Sequence, residues 1–176
     1  IYVHRSVADE FTRRLADAMA ALTVGPGLSD AQVGPLVNES AREKVDELVS
    51  DAVAAGARCL TGGQALPGEG WFYPPTVLAD VPADAAILGE EIFGPVAPVV
   101  VFDDDDEAVR LANATDYGLV AYVFGSDLAR ALRVGEAIEA GMVGINRGVV
   151  SDPAAPFGGV KQSGIGREGG FEGILE

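Results

Sequence analysis

Between residues 97 and 145 the chain alternates strand-length and helix-length segments with few residues between them: strand 97–102, helix 105–114, strand 119–124, helix 127–139 and strand 142–145. Alternation of this kind builds βαβ units, because two parallel strands can be joined only by a crossover, and a helix supplies it. The expected fold class is therefore α/β: a largely parallel sheet covered by helices on both faces. With 176 residues, 48% of them apolar, the chain is the size of one globular domain and can bury a sizeable core.

The first half is less regular. Val7, Phe11, Leu15, Ala18 and Leu22 recur at helical spacing behind Ser6 and Asp9, which predicts a helix over about 7–23 with Ser6 as its cap. Ser40-Ala41-Arg42-Glu43 forms a capping box ahead of Val45, Leu48, Val49, Ala52 and Val53, and Gly56 closes that second helix. A strand at 57–61, a Gly/Pro-rich loop over 62–75 and a short strand at 76–78 follow. The acidic run from Asp103 to Glu107 falls where the third helix begins, so its charges meet the positive end of the helix dipole.

Charge and cysteine content narrow the function classes. Lys and Arg total 12 against 27 Asp and Glu, a formal charge of −15 that repels phosphate backbones and anionic bilayers, so neither nucleic acid nor membrane is an expected partner. No 18-residue apolar run could span a bilayer. Cys59 is the single cysteine. It excludes an internal disulfide, fits a reducing cytoplasm, and is expected to be a small buried hydrophobe on the 57–61 strand. His4, the single histidine, has no nucleophile motif beside it and reads as a polar strand residue. No metal site is expected. The chain begins Ile1-Tyr2-Val3 and reads as a piece of a longer soluble polypeptide.

Gly164, Gly166 and Gly169 spell G-x-G-x-x-G. A dinucleotide fingerprint needs an apolar strand before the first glycine, a helix after the last, and an acid about 20 residues on. The residues before Gly164 are polar and glycine-rich, and the given sequence ends at Glu176. The glycines are expected to turn the backbone sharply and let it approach its neighbours closely. Three loops attract attention as ligand sites: 89–95, 146–156 and 158–170. In the first, Glu91 and Phe93 stand two residues apart. An extended segment would send both side chains to one side, suiting a ligand with hydroxyls beside a flat ring; a capped turn with Phe93 buried is the alternative.

At Glu90-Glu91-Ile92-Phe93-Gly94-Pro95 the sequence resembles the aldehyde dehydrogenase superfamily. Three more blocks agree in the same order: Asn113-Ala114-Thr115-Asp116-Tyr117-Gly118-Leu119, then Gly141-Met142-Val143-Gly144-Ile145-Asn146, then the run from Pro156-Phe157-Gly158-Gly159 to Gly166-Arg167-Glu168. Gly34-Pro35-Leu36 and the glycines at 56 and 62–63 extend the likeness over nearly the whole chain. The resemblance implies an enzyme whose cysteine thiolate attacks an aldehyde to give a thiohemiacetal, with hydride passing to NAD or NADP and water releasing the acid. It implies that residues 1–176 are a catalytic-domain fragment, with the nucleophilic Cys, general-base Glu and main cofactor domain upstream. No catalytic residue is then assigned within the chain, and Cys59 does not match the nucleophile.

Four positions match functional residues of the family. The resemblance makes Glu91 the carboxylate on the nicotinamide ribose hydroxyls, Phe93 the aromatic residue beside the nicotinamide, and Phe157 a wall of the substrate tunnel. The segment from Gly148 to Gly159 looks most like succinic semialdehyde dehydrogenases, which makes Ser151 the serine that bonds the substrate's distal carboxylate, helped by arginines outside this chain. Asp152-Pro153 departs from that pattern by adding a turn and a negative charge. The partners implied are a small-molecule aldehyde and further copies of the chain, as a homodimer or homotetramer. A fragment serving only structure or assembly, with no activity of its own, is the competing reading.

Overall fold

The structure is a computed structural model and describes residues 1–175. The chain forms two compact units, Ile1–Asp103 and Asp104–Glu176.

In the first unit, strand β1 (Tyr2–His4) runs directly into helix α1 (Arg5–Ala20). Helix α2 (Glu39–Ala54), strands β2 (Arg58–Thr61), β3 (Thr76–Ala79), β4 (Val96–Pro98) and β5 (Val100–Phe102) follow, with a single 3₁₀ turn at Ala86–Leu88. The predicted strand 97–102 is split after Pro98, at Val99. The extended segment pairs parallel with β3 through its first half and parallel with β1 through its second. Val99 and Val100 make the transition: the Val99 N–H donates to Leu78 O at 2.8 Å and the Val100 N–H to Ile1 O at 2.9 Å. β2 pairs antiparallel with β3 on the far side and slips register between Cys59 and Thr61.

All four residues of β3 are buried, as a strand covered on both faces requires. Val77 joins Val3, Ala8, Ala16 and Val99 in one cluster beneath α1, with Leu15 and Met19 packed against it. The buried face of α1 is thus Ala8, Thr12 and Ala16, whereas Val7 and Phe11, expected on the core face, are exposed. Small residues let the helix backbone approach the sheet, and of the larger stripe one position away Leu15 still packs against the cluster while Val7 and Phe11 turn outward. Helix α2 buries Val45, Leu48, Val49 and Ala52 as its periodicity predicts, but Val53, on the same predicted stripe, is exposed.

Both predicted caps move. His4 Nδ1 accepts from the Ser6 N–H at 3.2 Å, so α1 starts two residues early; Asn38 Oδ1 accepts from the Ala41 N–H at 2.8 Å, displacing Ser40, whose hydroxyl donates to that same oxygen at 2.9 Å. Cys59 is exposed rather than buried. β2 lies at the edge of its sheet, so one side of the strand has no neighbour to cover it.

The second unit opens with helix α3 (Asp105–Asn113), capped by Asp104, whose Oδ1 accepts from the Glu107 N–H at 2.8 Å. The acidic run fills its first turn, as expected. Strands β6 (Tyr117–Gly118), β7 (Val120–Val123) and β8 (Met142–Ile145), helix α4 (Leu128–Ala137), strand β9 (Val160–Lys161) and a last turn of helix, α5 (Glu172–Leu175), complete it. β7 and β8 pair parallel across α4, the predicted βαβ unit. β6 and β9, far apart in sequence, pair antiparallel. Lys161, with φ +55°, ties this unit together: its ammonium donates to the Asn113 and Thr115 carbonyls at 3.0 and 3.1 Å and pairs with Glu139 at 2.5 Å. No helix among the described residues is long and apolar enough to cross a membrane.

Candidate functional site

In the first unit the residues singled out by sequence lie on the turn from Gly89 to Pro95, between the 3₁₀ turn and β4. Helix α2 anchors it at two points. The Lys44 ammonium donates to the Glu91 carbonyl at 3.0 Å and to Glu90 Oε2 at 3.2 Å. Gly94 rests on Val45: a Cβ there would meet Val45 Cγ2 at 2.8 Å, so any larger residue would push the turn off the helix. The Pro95 carbonyl then accepts from the Thr76 N–H at 2.8 Å, delivering the chain into β4.

On this fixed backbone Glu91 is exposed, and the Phe93 ring is 78% exposed. Phe93 has φ +51°, so the segment is not extended, and the simple alternation expected for residues 91 and 93 does not apply. The alternative of a turn that buries Phe93 is overturned by the ring's exposure. A non-glycine residue in the left-handed region is held there by its surroundings. Lys44 has no legible role in the sequence, because its two contacts lie 46 and 47 residues away.

In the second unit the loop after β8 carries Ser151 and Phe157. Asn146, at φ +51°, turns the chain out of β8. Its carboxamide makes a two-way pair with Gly125, accepting from the N–H and donating to the carbonyl, both at 2.9 Å, which prolongs the parallel ladder by one rung. Val150 folds back over the strand: a Cβ on Gly144 would meet Val150 Cγ1 at 2.8 Å. Ser151 is exposed. Asp152, the departure noted in sequence, bends into its own turn: Oδ1 accepts from the Ala154 N–H at 2.9 Å and its carbonyl from the Ala155 N–H at 3.0 Å. Asn146 was not singled out from sequence, although a carboxamide that tolerates positive φ is a turn signal.

Phe157 is half-buried and held by a two-way backbone pair with Glu168, at 2.6 and 2.8 Å. Between these residues runs the G-x-G-x-x-G segment. Val160 and Lys161 form β9 before it and only the short α5 comes after, so no strand-to-helix phosphate turn exists. Gly158 faces Gly166, where a Cβ would stand 2.2 Å from the Gly166 carbonyl oxygen. The Arg167 guanidinium fills the bend by donating to the carbonyls of Gly159, Ile165 and Gly166 at 2.8, 2.9 and 3.0 Å. The glycines therefore let the returning chain pass against itself.

Cys59 has the wrong electrostatics for a nucleophile. Burial pushes its thiol up, only partly offset by its bond to the Thr61 carbonyl at 3.4 Å, so the neutral form persists. Among the described residues no group of three or more His, Cys, Asp or Glu side chains gathers to hold a metal ion.

Comparison with known proteins identifies the family and the fold. Residues 1–176 match the family described as Aldehyde dehydrogenase family. The chain is 61% identical over 175 residues to a succinate-semialdehyde dehydrogenase of Paenarthrobacter nicotinovorans, covering 99% of this chain and 39% of that protein. It is 47% identical to an NADP(+) succinate-semialdehyde dehydrogenase of Escherichia coli K12, of which it covers 36%. The crystal structure of succinate-semialdehyde dehydrogenase from Burkholderia pseudomallei superposes with a TM-score of 0.96 at 49% identity, over 99% of this chain and 36% of that one. The chain spans less than two-fifths of the length of these relatives.

Proposed function

Because the chain belongs to the aldehyde dehydrogenase family over residues 1–176, we propose that it is a catalytic-domain portion of an NAD(P)-dependent enzyme oxidising a short semialdehyde, succinic semialdehyde or one close to it, to the acid. The observation that carries the reading is the turn at Glu91 and Phe93. A carboxylate and a ring exposed to 78% are presented on backbone clamped by Lys44 and Val45, and neither side chain serves the core. Such a pair suits a nicotinamide riboside: a carboxylate accepts two hydroxyl donors, and an aromatic face stacks beside a flat ring.

When bound, NAD(P)+ supplies the hydride acceptor. The chain's own part is positioning. Glu91 holds the ribose hydroxyls and Phe93 flanks the ring, which limits the orientations from which transfer can occur. Phe157 gives the aldehyde an apolar wall that keeps water from the reacting carbon, and the Ser151 hydroxyl donates to the carboxylate at the substrate's other end. The attacking thiol and the general base belong to polypeptide outside this chain. On the same reading the full-length enzyme is a cytoplasmic homodimer or homotetramer.

Glu91→Gln in the full-length enzyme tests the reading. A charge-assisted hydrogen bond contributes about 1.5–3 kcal/mol, so single-turnover formation of NAD(P)H should slow by about tenfold or more while the unfolding transition stays in place. An unaltered rate would remove Glu91 from the cofactor site.

A further inference from the structure

Among the described residues, four that are not glycine stand on backbone with positive φ: Asp80, Phe93, Asn146 and Lys161. Such positions cost energy and persist only where their surroundings hold them. Asp80 and Lys161 are tied by ion pairs to Arg58 and Glu139, and Phe93 lies on the turn described above. Asn146 remains. It is exposed, so burial does not account for it, and it stands at the carboxyl end of parallel strand β8, the end at which α/β sheets gather ligands.

Its contacts show what it holds. The Asn146 N–H donates to the Val123 carbonyl at 2.8 Å and closes the backbone ladder between β7 and β8. The carboxamide then adds the next rung, accepting from the Gly125 N–H and donating to the Gly125 carbonyl, both at 2.9 Å. A carboxamide can do this because it offers an acceptor and donors side by side. With the rung completed by a side chain, the backbone is free to swing out of the sheet at φ +51°. The loop folds back so that Val150 covers Gly144, and Ser151 comes next. Farther on, backbone alone holds the loop: the Gly170 N–H donates to the Pro153 carbonyl at 3.1 Å, and Phe157 pairs both ways with Glu168. The entry to the loop therefore depends on one side chain, whereas its far end does not.

We infer that Asn146 is a positioning residue for substrate selectivity: it fixes the direction in which the loop leaves β8, and so places the Ser151 hydroxyl, while Phe157 is held separately through Glu168. The inference rests on the semialdehyde reading above and adds a residue that acts through Ser151. Placement of this kind matters because a positioning group displaced by about 1 Å can cost about 100-fold in rate.

The test is a double-mutant cycle on the full-length enzyme. kcat/KM is measured for succinic semialdehyde and for an uncharged aldehyde of equal chain length, in the parent, Asn146→Gly, Ser151→Ala and the double variant. Glycine adopts φ +51° without strain, so the first change removes the carboxamide and keeps the turn. The ratio of charged to uncharged substrate should fall about tenfold in Ser151→Ala, about fivefold in Asn146→Gly, and in the double variant no further than in Ser151→Ala, because both changes act on one contact. Turnover of the uncharged aldehyde in Asn146→Gly should stay at the parental value. Asn113 supplies the control. Its carboxamide makes a comparable two-way link, donating to the Ala137 carbonyl at 2.9 Å and accepting from the Glu139 N–H at 2.8 Å, so Asn113→Ala should lower the unfolding midpoint and leave the ratio parental. A parental ratio in Asn146→Gly beside a lowered one in Ser151→Ala overturns the inference and leaves the semialdehyde reading intact. Equal losses on both substrates, or a ratio lowered as far in Asn113→Ala, overturn it too, since they mark a structural role. A parental ratio in Ser151→Ala defeats the serine reading and this inference with it. Should Asn146→Gly not fold, Asn146→Asp decides: it keeps the size and the acceptor but sets a carboxylate against the Gly125 carbonyl, and a parental ratio there sinks the proposal.

Discussion

Phe93→Ala separates a ligand-facing ring from a core ring more sharply than any other substitution in the chain. Fully burying a phenylalanine side chain contributes about 1.5–3 kcal/mol. With the ring 78% exposed, only about a fifth of that burial exists to be lost, so truncation should cost roughly 0.3–0.6 kcal/mol. A core phenylalanine cut to alanine costs about 3–5 kcal/mol. Alanine is chosen over glycine because it keeps the left-handed strain at φ +51°, leaving the ring as the sole difference. Denaturant unfolding of the full-length protein measures the first quantity. Steady-state kinetics with varied NAD(P)+ measures the second: an aromatic contact is worth about 0.5–1.5 kcal/mol, hence a rise of about two- to tenfold in the cofactor KM. A stability loss near 3 kcal/mol, or an unmoved KM, would refute the argument that this ring is held out of the core for a ligand.

Two further outcomes follow from the first unit. The Tyr73 hydroxyl is fully buried and has no hydrogen-bond partner among the described residues, and burial first and the Asp46 carboxylate second push its ionisation up and keep it neutral. Tyr73→Phe should therefore stabilise the protein, by about 1 kcal/mol, visible as a higher denaturant midpoint; a lower midpoint would mean that Asp46 holds the hydroxyl after all. Cys59, with its thiol raised chiefly by burial, should alkylate more slowly with iodoacetamide than a free peptide thiol at pH 7.5. Because its folded pKa lies above the unfolded one, its contribution to stability is present below the unfolded pKa, near 9, and is lost as pH rises through the folded value. Alkylation faster than the peptide would contradict that sign, and so would stability that climbs between pH 8 and 10.

The 3.6 and 2.0 periodicities carried the second unit well. Helices α3 and α4 and strands β7 and β8 fall within about two residues of their expected limits, since each segment's apolar pattern and its next neighbour in sequence also meet in space. The short pairings did not declare themselves. β6 and β9 have two residues each and lie 43 positions apart, so neither local pattern nor turn chemistry marks them. On α1 the predicted stripe is only partly the core face: Leu15 packs against the cluster, but hydrophobic size predicts burial only when the neighbour leaves room, and here the sheet admits Ala8 and Ala16 and turns Val7 and Phe11 away.

What the amino-acid sequence determined unaided was the class of fold; its −15 charge argues against nucleic acid as a partner, and Glu91, Phe93, Ser151 and Phe157 stand out through the motifs that resemble the aldehyde dehydrogenase superfamily. Tertiary structure decided which of those groups are available. Phe93 is exposed because Lys44 and Val45, on a helix nearly 50 positions earlier, fix the turn that carries it, and Asp152 is spent on its own loop. The reason is physical: residue type and local pattern are written in consecutive positions, but exposure and charge compensation are sums over neighbours that only the folded chain brings together.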